Sequence, residues 1–447
     1  MKKLLKSPIL WGVLAALVVT IPPVKNYEFL WTDCTHVGVL SGRIDYPGMG
    51  PLTLYRFSDG NPQHMSALIS AGLEPWFSTP DRKMNMCRHL SSAFTALNYQ
   101  ISGMNPLGYV LHSVLWYLVL IVLVGFLVRR IVPGSGGGSV HPVSFITVII
   151  FALASRNAMN ISYGGTRWLL ITMAFGLAGL LAHIKWREQD WKPGRFLSLI
   201  AFLLALLSGE AALAMLAYLA AYELFGTSDP VKKRISALIP AAVMTFIYLV
   251  IYRLMNYGTA NLGTYTNPFN DPIGFISALP LKVASMLGEM FLGVISVFEV
   301  NTADPSRALP TFLLGVGALV LVGLLFYPVW SSAPPQQRRE FNWLMVGTAA
   351  AMLPFVSVQA CSRVVLVLFI GGSILEVRNL DVPFKKGEIL RFSGFQVTIL
   401  EVNKDGPTRM EFTFERSLDD EGFCFYKLQE GRLHIVTLPA VGQSLTL

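Results

Sequence analysis

Long apolar runs separated by short polar or basic stretches fill the first 375 residues, and this pattern predicts a helical membrane protein. The first run extends from Pro8 to about Pro23, behind Met1-Lys2-Lys3-Leu4-Leu5-Lys6. Later runs lie at about 107–128, 142–156, 167–184, 195–209, 210–226, 235–255, 274–298, 311–329 and 342–360, with a shorter one at 364–375. Several fall short of the ~20 residues that span a bilayer comfortably. Gly209-Glu210 divides two of the short runs, which predicts a tight helical hairpin. The expected count is about nine to eleven crossings.

From about residue 376 the period shortens to alternation. Segments 374–378, 388–392, 396–402, 409–416, 423–428 and 433–438 read as short strands. Lys386-Gly387, Asp405-Gly406-Pro407 and Glu430-Gly431 separate them as turns. The fold class is therefore a polytopic α-helical membrane protein with a small C-terminal antiparallel β domain. Residues 1–375 form the transmembrane domain, and 376–447 the β domain, expected on the outer side.

Composition agrees. The chain is 53% hydrophobic and 14% charged, with a mean hydropathy of +0.53; an ordinary soluble protein carries about 25% charge. The net charge of +8 brings nucleic acid to mind. However, the basic residues cluster between apolar runs rather than along an aromatic-interleaved stripe, so nucleic acid is set aside.

Those clusters predict orientation instead. Arg129-Arg130, the stretch from Lys185 to Arg195, and Lys232-Lys233-Arg234 follow every second helix. Together with Lys2, Lys3 and Lys6 they assign one side to the cytoplasm. The first apolar run lacks a good cleavage site, since Ile21-Pro22-Pro23 is a poor one, and reads as an uncleaved helix with its amino end inside. Arg338-Arg339 fits the same side only if run 274–298 does not cross fully. The expected location is the inner membrane of a cell, multi-pass.

This orientation puts the long loop 24–105 outside. A loop of that length usually carries function or helices of its own, and 64–73 and 91–101 are candidates for such helices. Loop 256–273 would also lie outside. Of the four cysteines, Cys34 and Cys87 share the long loop. In an oxidising space they would form a disulfide or remain two free thiols, and the sequence favours neither. No metal-ligand spacing is present, so a divalent cation is compatible with the chain but not required by it.

Ionisable groups near membrane depth draw attention because they are costly there. Asp33 follows the aromatic-rich stretch Tyr27-Glu28-Phe29-Leu30-Trp31-Thr32, suited to an outer water interface. Arg88-His89 precede the segment leading to the helix at 107–128, and an arginine there can take a phosphate in bidentate fashion. Arg156 and Arg167 bracket an outer turn and are suited to an anionic group or to anchoring helix ends. Glu210 sits at the hairpin tip, where a carboxylate meets the positive end of a helix.

Arg88-His89-Leu90-Ser91-Ser92-Ala93-Phe94-Thr95-Ala96-Leu97-Asn98-Tyr99, followed by Gly103-Met104-Asn105-Pro106-Leu107-Gly108-Tyr109, resembles a stretch of the GT-C glycosyltransferases. It is closest to bacterial relatives of protein O-mannosyltransferases, which carry Arg-Pro-Leu, then Leu-(Asp/Asn)-Tyr, then Asn-Pro-x-Gly-Tyr. Trp31-Thr32-Asp33-Cys34 resembles their Trp-Asp-Asp-His, and His141-Pro142 a His-Pro that opens helix three. Leu207-Ser208-Gly209-Glu210 and Tyr222-Glu223-Leu224 resemble their Ser-Lys-Glu and Tyr-Glu-Leu pair. The likeness covers roughly 10–365.

The resemblance implies transfer of a sugar from a polyprenyl-phosphate donor to an acceptor on the outer face. Asp33 would be the catalytic carboxylate. Arg88, Arg156 and Arg167 would hold the donor phosphate, with His89 and Glu210 as supporting groups. The expected partners are the lipid-linked donor, membrane lipid and an acceptor of unknown identity. Thr32, Cys34, His89 and Gly209 depart from the family pattern. They motivate the alternative: a non-catalytic membrane protein on the same scaffold that binds a lipid carrier or a partner. A transporter, which would need paired intramembrane charges and internal repeats, ranks last.

Overall fold

The computed structural model describes residues 7–131, 142–153, 160–262, 268, 271–292, 305–356, 385–392, 395–403, 406–414, 425–429 and 432–436. The chain is mostly helical, with small antiparallel sheets.

Helix α1, Pro8–Lys25, opens on a proline, whose missing N–H is harmless in a first turn. Helix α5, Pro106–Ile131, also starts at a proline, and the Asn105 side chain accepts the Leu107 N–H at 3.1 Å. Its last turn holds Arg129 and Arg130, where cations meet the negative end of the helix dipole. Next come α6 (Pro142–Leu153), α7 (Arg167–Gln189), α8 (Pro193–Ser208), α9 (Ala212–Ala221) and α10 (Val231–Leu254). The predicted hairpin is present: α8 ends at Ser208, and α9 starts three residues past Gly209. A π-helical turn, Tyr222–Gly226, closes α9. Helices α11 (Pro272–Leu292), α12 (Pro305–Ser332) and α13 (Pro335–Val356) follow.

Among the described residues, four helical segments are long and apolar enough to cross a membrane: Pro8–Lys25, Pro106–Ile131, Gly164–Gln189 and Val231–Leu254. Several other apolar helices are shorter, such as Pro193–Ser208 and Ala212–Gly226. The Gly164–Gln189 span is mostly enclosed by protein, whereas Val231–Leu254 is bare along most of its length. The first is central and the second peripheral.

The core joins Ala16, Tyr117, Leu120, Ile121, Val148, Leu177, Phe202, Tyr222 and Trp343 from α1 and α5 through α8, the π turn and α13. Gly12 lets α1 meet α6 and α5 closely, since a Cβ there would collide with Val148 and crowd Ile121. At one end of the bundle, Arg130 bridges Glu188 on α7 and Glu340 on α13, the latter at 2.6 Å. Trp343 donates to the same Glu340 carboxylate at 2.7 Å. The start of α13, with Arg338 and Arg339, therefore lies at the same end as Arg130.

The opposite end carries the long loop. Within it lie α2 (Trp31–Leu40), α3 (Pro62–Ser70) and α4 (His89–Ser102). The last two match the helices expected at 64–73 and 91–101. Strands β1 (Arg56–Asp59), β2 (Lys83–Asn85) and β3 (Gly258–Ala260) form an antiparallel sheet in the order β1-β2-β3. Loop 256–273 is thus tied to the long loop. A buried cluster, in which Arg82 bonds Glu74 at 2.6 Å and Tyr46 donates to Glu74 at 2.9 Å, locks its interior.

Past residue 384, strands β4 (Ile389–Phe392), β5 (Phe395–Asn403) and β6 (Gly406–Phe414) make one antiparallel sheet. Strands β7 (Phe425–Gln429) and β8 (Arg432–Val436) make a separate hairpin. These agree with the alternating segments; the strand expected at 374–378 and the apolar run 364–375 lie outside the described residues. Trp76 and Phe77 of the long loop pack on Val397 and Ile399 of β5. Trp76 also meets Phe412 of β6 edge-on at 5.6 Å. The three-stranded sheet therefore sits on the loop-bearing end.

Candidate functional site

Asp33 occupies the third position of α2 and is 5% exposed. Its Oδ2 accepts the Leu30 and Gly164 backbone N–H groups, each at 3.3 Å. Burial raises its pKa to about 6, against the lowering effect of the Leu30 amide, the positive charge of Arg167 and the Gly164 and Gly165 amides. Gly164 is required by contact: a Cβ there would lie 2.7 Å from Asp33 Oδ1. The Gly164–Thr166 turn then leads directly into α7 at Arg167. One short turn thus brings the carboxylate and the guanidinium into one cluster.

Arg167 is 1% exposed. Its terminal nitrogens donate to Asn98 Oδ1 at 3.3 Å, the Tyr109 carbonyl at 3.1 Å and Thr95 Oγ1 at 3.1 Å. These partners come from the stretch 88–109 that carries the family resemblance. The Arg167 Nε has no hydrogen-bond partner among the described residues.

Arg88 lies beside this cluster and has other commitments. Its Nε donates to Glu210 Oε2 at 3.0 Å, and its guanidinium lies over the Trp168 ring at 3.6 Å. The other Glu210 oxygen accepts the Cys87 N–H at 3.0 Å and the Tyr252 hydroxyl at 3.5 Å. Glu210 therefore clamps the long loop to the α8–α9 hairpin and fixes Arg88. The positive charge that acts on the Asp33 carboxyl is that of Arg167. His89 Nδ1 donates to the Leu52 carbonyl at 2.8 Å, and Nε2 shares a hydrogen bond with the Tyr257 hydroxyl at 2.7 Å, which joins the loop to the segment before β3.

Cys34 and Cys87 are free thiols, so the disulfide alternative is not realised. Cys87 is buried, and desolvation followed by the Glu210 charge pushes its pKa up to about 12. Cys34 is exposed. Arg156 lies outside the described residues. Among the described residues no three His, Cys, Asp or Glu side chains gather as metal ligands.

His36, on α2 one turn after Asp33, was not singled out from the sequence. It is 1% exposed, meets Tyr55 edge-on at 4.8 Å, and its Nε2 has no hydrogen-bond partner among the described residues. Burial above all depresses its pKa to about 3, so the ring is neutral. Tyr163 was also missed; its hydroxyl donates to Thr32 beside Asp33. The i, i+3 spacing of Asp33 and His36 on one helical face was the signal that could have found the histidine.

The cluster thus combines a buried carboxylate poised near neutrality, a fixed guanidinium and nitrogens on His36, Arg167 and Trp168 that have no partner among the described residues. Such a set can accept a proton and stabilise negative charge. No protein-family model matches the chain, and no curated protein or solved structure matches it either.

Proposed function

We propose that the chain is a membrane glycosyltransferase of GT-C type, with about nine to eleven crossings, in the inner membrane of a cell with its amino end cytoplasmic. It moves a sugar from a polyprenyl-phosphate donor to an acceptor on the outer face. The observation that carries this reading is Asp33: a carboxylate with a pKa of about 6, held by two backbone amides in the loop-bearing end, with Arg167 in the same cluster. A base works best when its pKa lies near the operating pH.

In the proposed reaction Asp33 takes the proton of an acceptor hydroxyl as that oxygen attacks the anomeric carbon. The bond from that carbon to the donor phosphate oxygen breaks, with inversion, and the phosphate leaves with the electron pair. Arg88, Arg167 and Arg156 offset its charge. Glu210 and His89 hold the surrounding loop. The GT-C resemblance of 88–109 supports the same assignment, because that stretch supplies the partners of Arg167.

One observation favours the second reading, a non-catalytic protein that binds a lipid carrier or partner. Asp33, Arg88 and Arg167 are all less than a tenth exposed, and both guanidiniums already have protein acceptors. The test is Asp33→Asn in membranes supplied with a polyprenyl-phosphate-linked sugar. Transfer should fall about 100-fold or more. Unchanged transfer rejects Asp33 as the base. Donor binding without transfer by the unaltered chain supports the second reading.

A further inference from the structure

Helices α4 and α5 meet beside Arg167. On α4, Phe94, Asn98 and Ser102 recur every fourth residue and share one side, with Thr95 next to them. On α5, His112 and Trp116 stand one turn apart, just past the stretch 88–109 that carries the family resemblance. Phe94 meets the Trp116 ring at 5.3 Å, and Phe175 of α7 lies 5.4 Å from the same ring.

The hydrogen bonds of this group have one consistent direction. An indole N–H donates and cannot accept. Trp116 Nε1 lies 3.0 Å from His112 Nε2, so that nitrogen carries the lone pair. A protonated ring would set two N–H groups against each other. Nδ1 therefore holds the proton of a neutral imidazole, and it donates to Asn98 Oδ1 at 2.7 Å. Asn98 is fixed from its far side as well. Its Oδ1 accepts Arg167 Nη1 at 3.3 Å, and its Nδ2 donates to Ser102 Oγ at 3.2 Å. Turned over, the buried amide would set its NH2 against both the guanidinium and the imidazole N–H, and donors would meet without an acceptor.

Arg167 ends the chain of bonds. Among the described residues its terminal nitrogens bond neutral acceptors: Asn98, Thr95 and the Tyr109 carbonyl. A buried cation held by dipoles depends on each of them for its place. The charge of Arg167 acts on Asp33 and favours its ionised form against burial. The other titratable groups that interact with Asp33 are Cys34 on its own helix and Tyr109 on α5.

We propose that His112 is a positioning residue of the Asp33 site: Trp116 holds it as the Nδ1–H tautomer, its N–H holds the Asn98 oxygen toward Arg167, and Arg167 is thereby kept where its charge reaches Asp33. The bearing of His112 on sugar transfer rests on the reading of Asp33 as the base; the bonded arrangement does not. A ring that only filled the aromatic cluster with Phe94 and Trp116 would need its shape and not its nitrogens.

The test uses the full chain in detergent and reads two signals besides transfer. Nitrogen NMR of the chain carrying isotope-labelled histidine reports the tautomer, and the His112 signal is the one lost in His112→Asn. The unaltered chain should show a neutral Nδ1–H ring at neutral pH. Infrared titration reports the Asp33 carboxyl, the band lost in Asp33→Asn, with a midpoint expected at about pH 6. His112→Phe keeps a ring against Phe94 and removes both hydrogen bonds. It should raise that midpoint by about one pH unit, because Arg167 loses part of its hold. His112→Asn, whose short amide still donates toward Asn98, should return the midpoint most of the way. An Nε2–H or doubly protonated ring in the unaltered chain overturns the proposal, and this readout needs no variant to keep its fold beyond the assignment. An unmoved midpoint in His112→Phe overturns it too. So do equal shifts in His112→Phe and His112→Asn, which would mean packing alone. The pH–rate midpoint of transfer should move with the carboxyl. A carboxyl that moves as expected in a chain without transfer would support the positioning role and reject the transferase reading.

Discussion

The backbone amide of Gly164 donates to the Asp33 carboxylate at 3.3 Å, and no side chain fits between them. A Cβ at position 164 would lie 2.7 Å from Asp33 Oδ1, inside van der Waals contact. The residue that binds the carboxylate must therefore be glycine, and the fit joins two segments 131 residues apart.

Gly164→Ala should displace α2 from the turn before α7. Overpacking of a buried site typically costs about 1–3 kcal/mol. Thermal unfolding in detergent should report that loss, and on the proposed reading sugar transfer should fall with it. Gly42→Ala offers a comparison: position 42 has open space around it, and any cost there comes from its positive φ alone.

A pH titration separates stability from activity at Asp33. Burial lifts this carboxyl from its ordinary value near 3.8 to about 6. Between those values the folded chain keeps a proton that the unfolded chain has released. The contribution to stability is present below about pH 4 and is lost as pH rises through 6, a change of about 3 kcal/mol. Asp33→Asn should abolish this slope. On the proposed reading, transfer should respond in the opposite direction, rising through pH 6 as Asp33 ionises. Chemical unfolding at pH 4.5 and 7 measures the first effect, and a pH–rate profile the second.

How much of this arrangement could be read from the chain depended on the range of the forces involved. Apolar runs and alternation are local signals, so α5, α8, the Gly209-Glu210 hairpin and strands β4 to β8 follow from them. Helix α2 and strands β1 to β3 do not. Strands of three or four residues, with β2 and β3 more than 170 positions apart in sequence, exist because tertiary packing holds them. Arg167 illustrates the same limit. At a helix start it reads as a group for an anion or as a helix-end anchor, and the fold seals it against Thr95, Asn98 and Tyr109. Asp33 was legible by position and by resemblance, while its partner turn and His36 required the fold.

At the other end, Arg130 holds together α5, α7 and α13 through Glu188 and Glu340. Arg130→Ala would leave two carboxylates facing one another with no shared cation. Breaking a buried pair from one side commonly costs about 3–5 kcal/mol; Glu188 is partly exposed, so a loss near ~3 kcal/mol is expected. The double variant Arg130→Met with Glu340→Gln should recover part of it, measured as a denaturation midpoint in detergent.

The two loop cysteines give a direct readout of the Glu210 clamp. Cys34 is exposed and Cys87 is buried, and neither is bonded to the other. A thiol reacts as its thiolate and must be reached by reagent. Desolvation and the nearby Glu210 charge hold Cys87 near a pKa of about 12, which leaves almost no thiolate at pH 7. Maleimide applied to the folded chain without reductant should therefore modify Cys34 and spare Cys87, as peptide mass mapping would report. Glu210→Ala removes the acceptor of both the Cys87 N–H and the Arg88 Nε, so the start of α4 loses its tie to the hairpin. Cys87 should then label, by at least about tenfold more than in the unaltered chain, because opening and the loss of the nearby negative charge both favour the thiolate. Modification of neither cysteine before reduction, and of both after it, would mean that a bridge forms and that this part of the loop is built differently. Equal labelling of Cys87 with and without Glu210 would mean that the hairpin contact does not hold the loop.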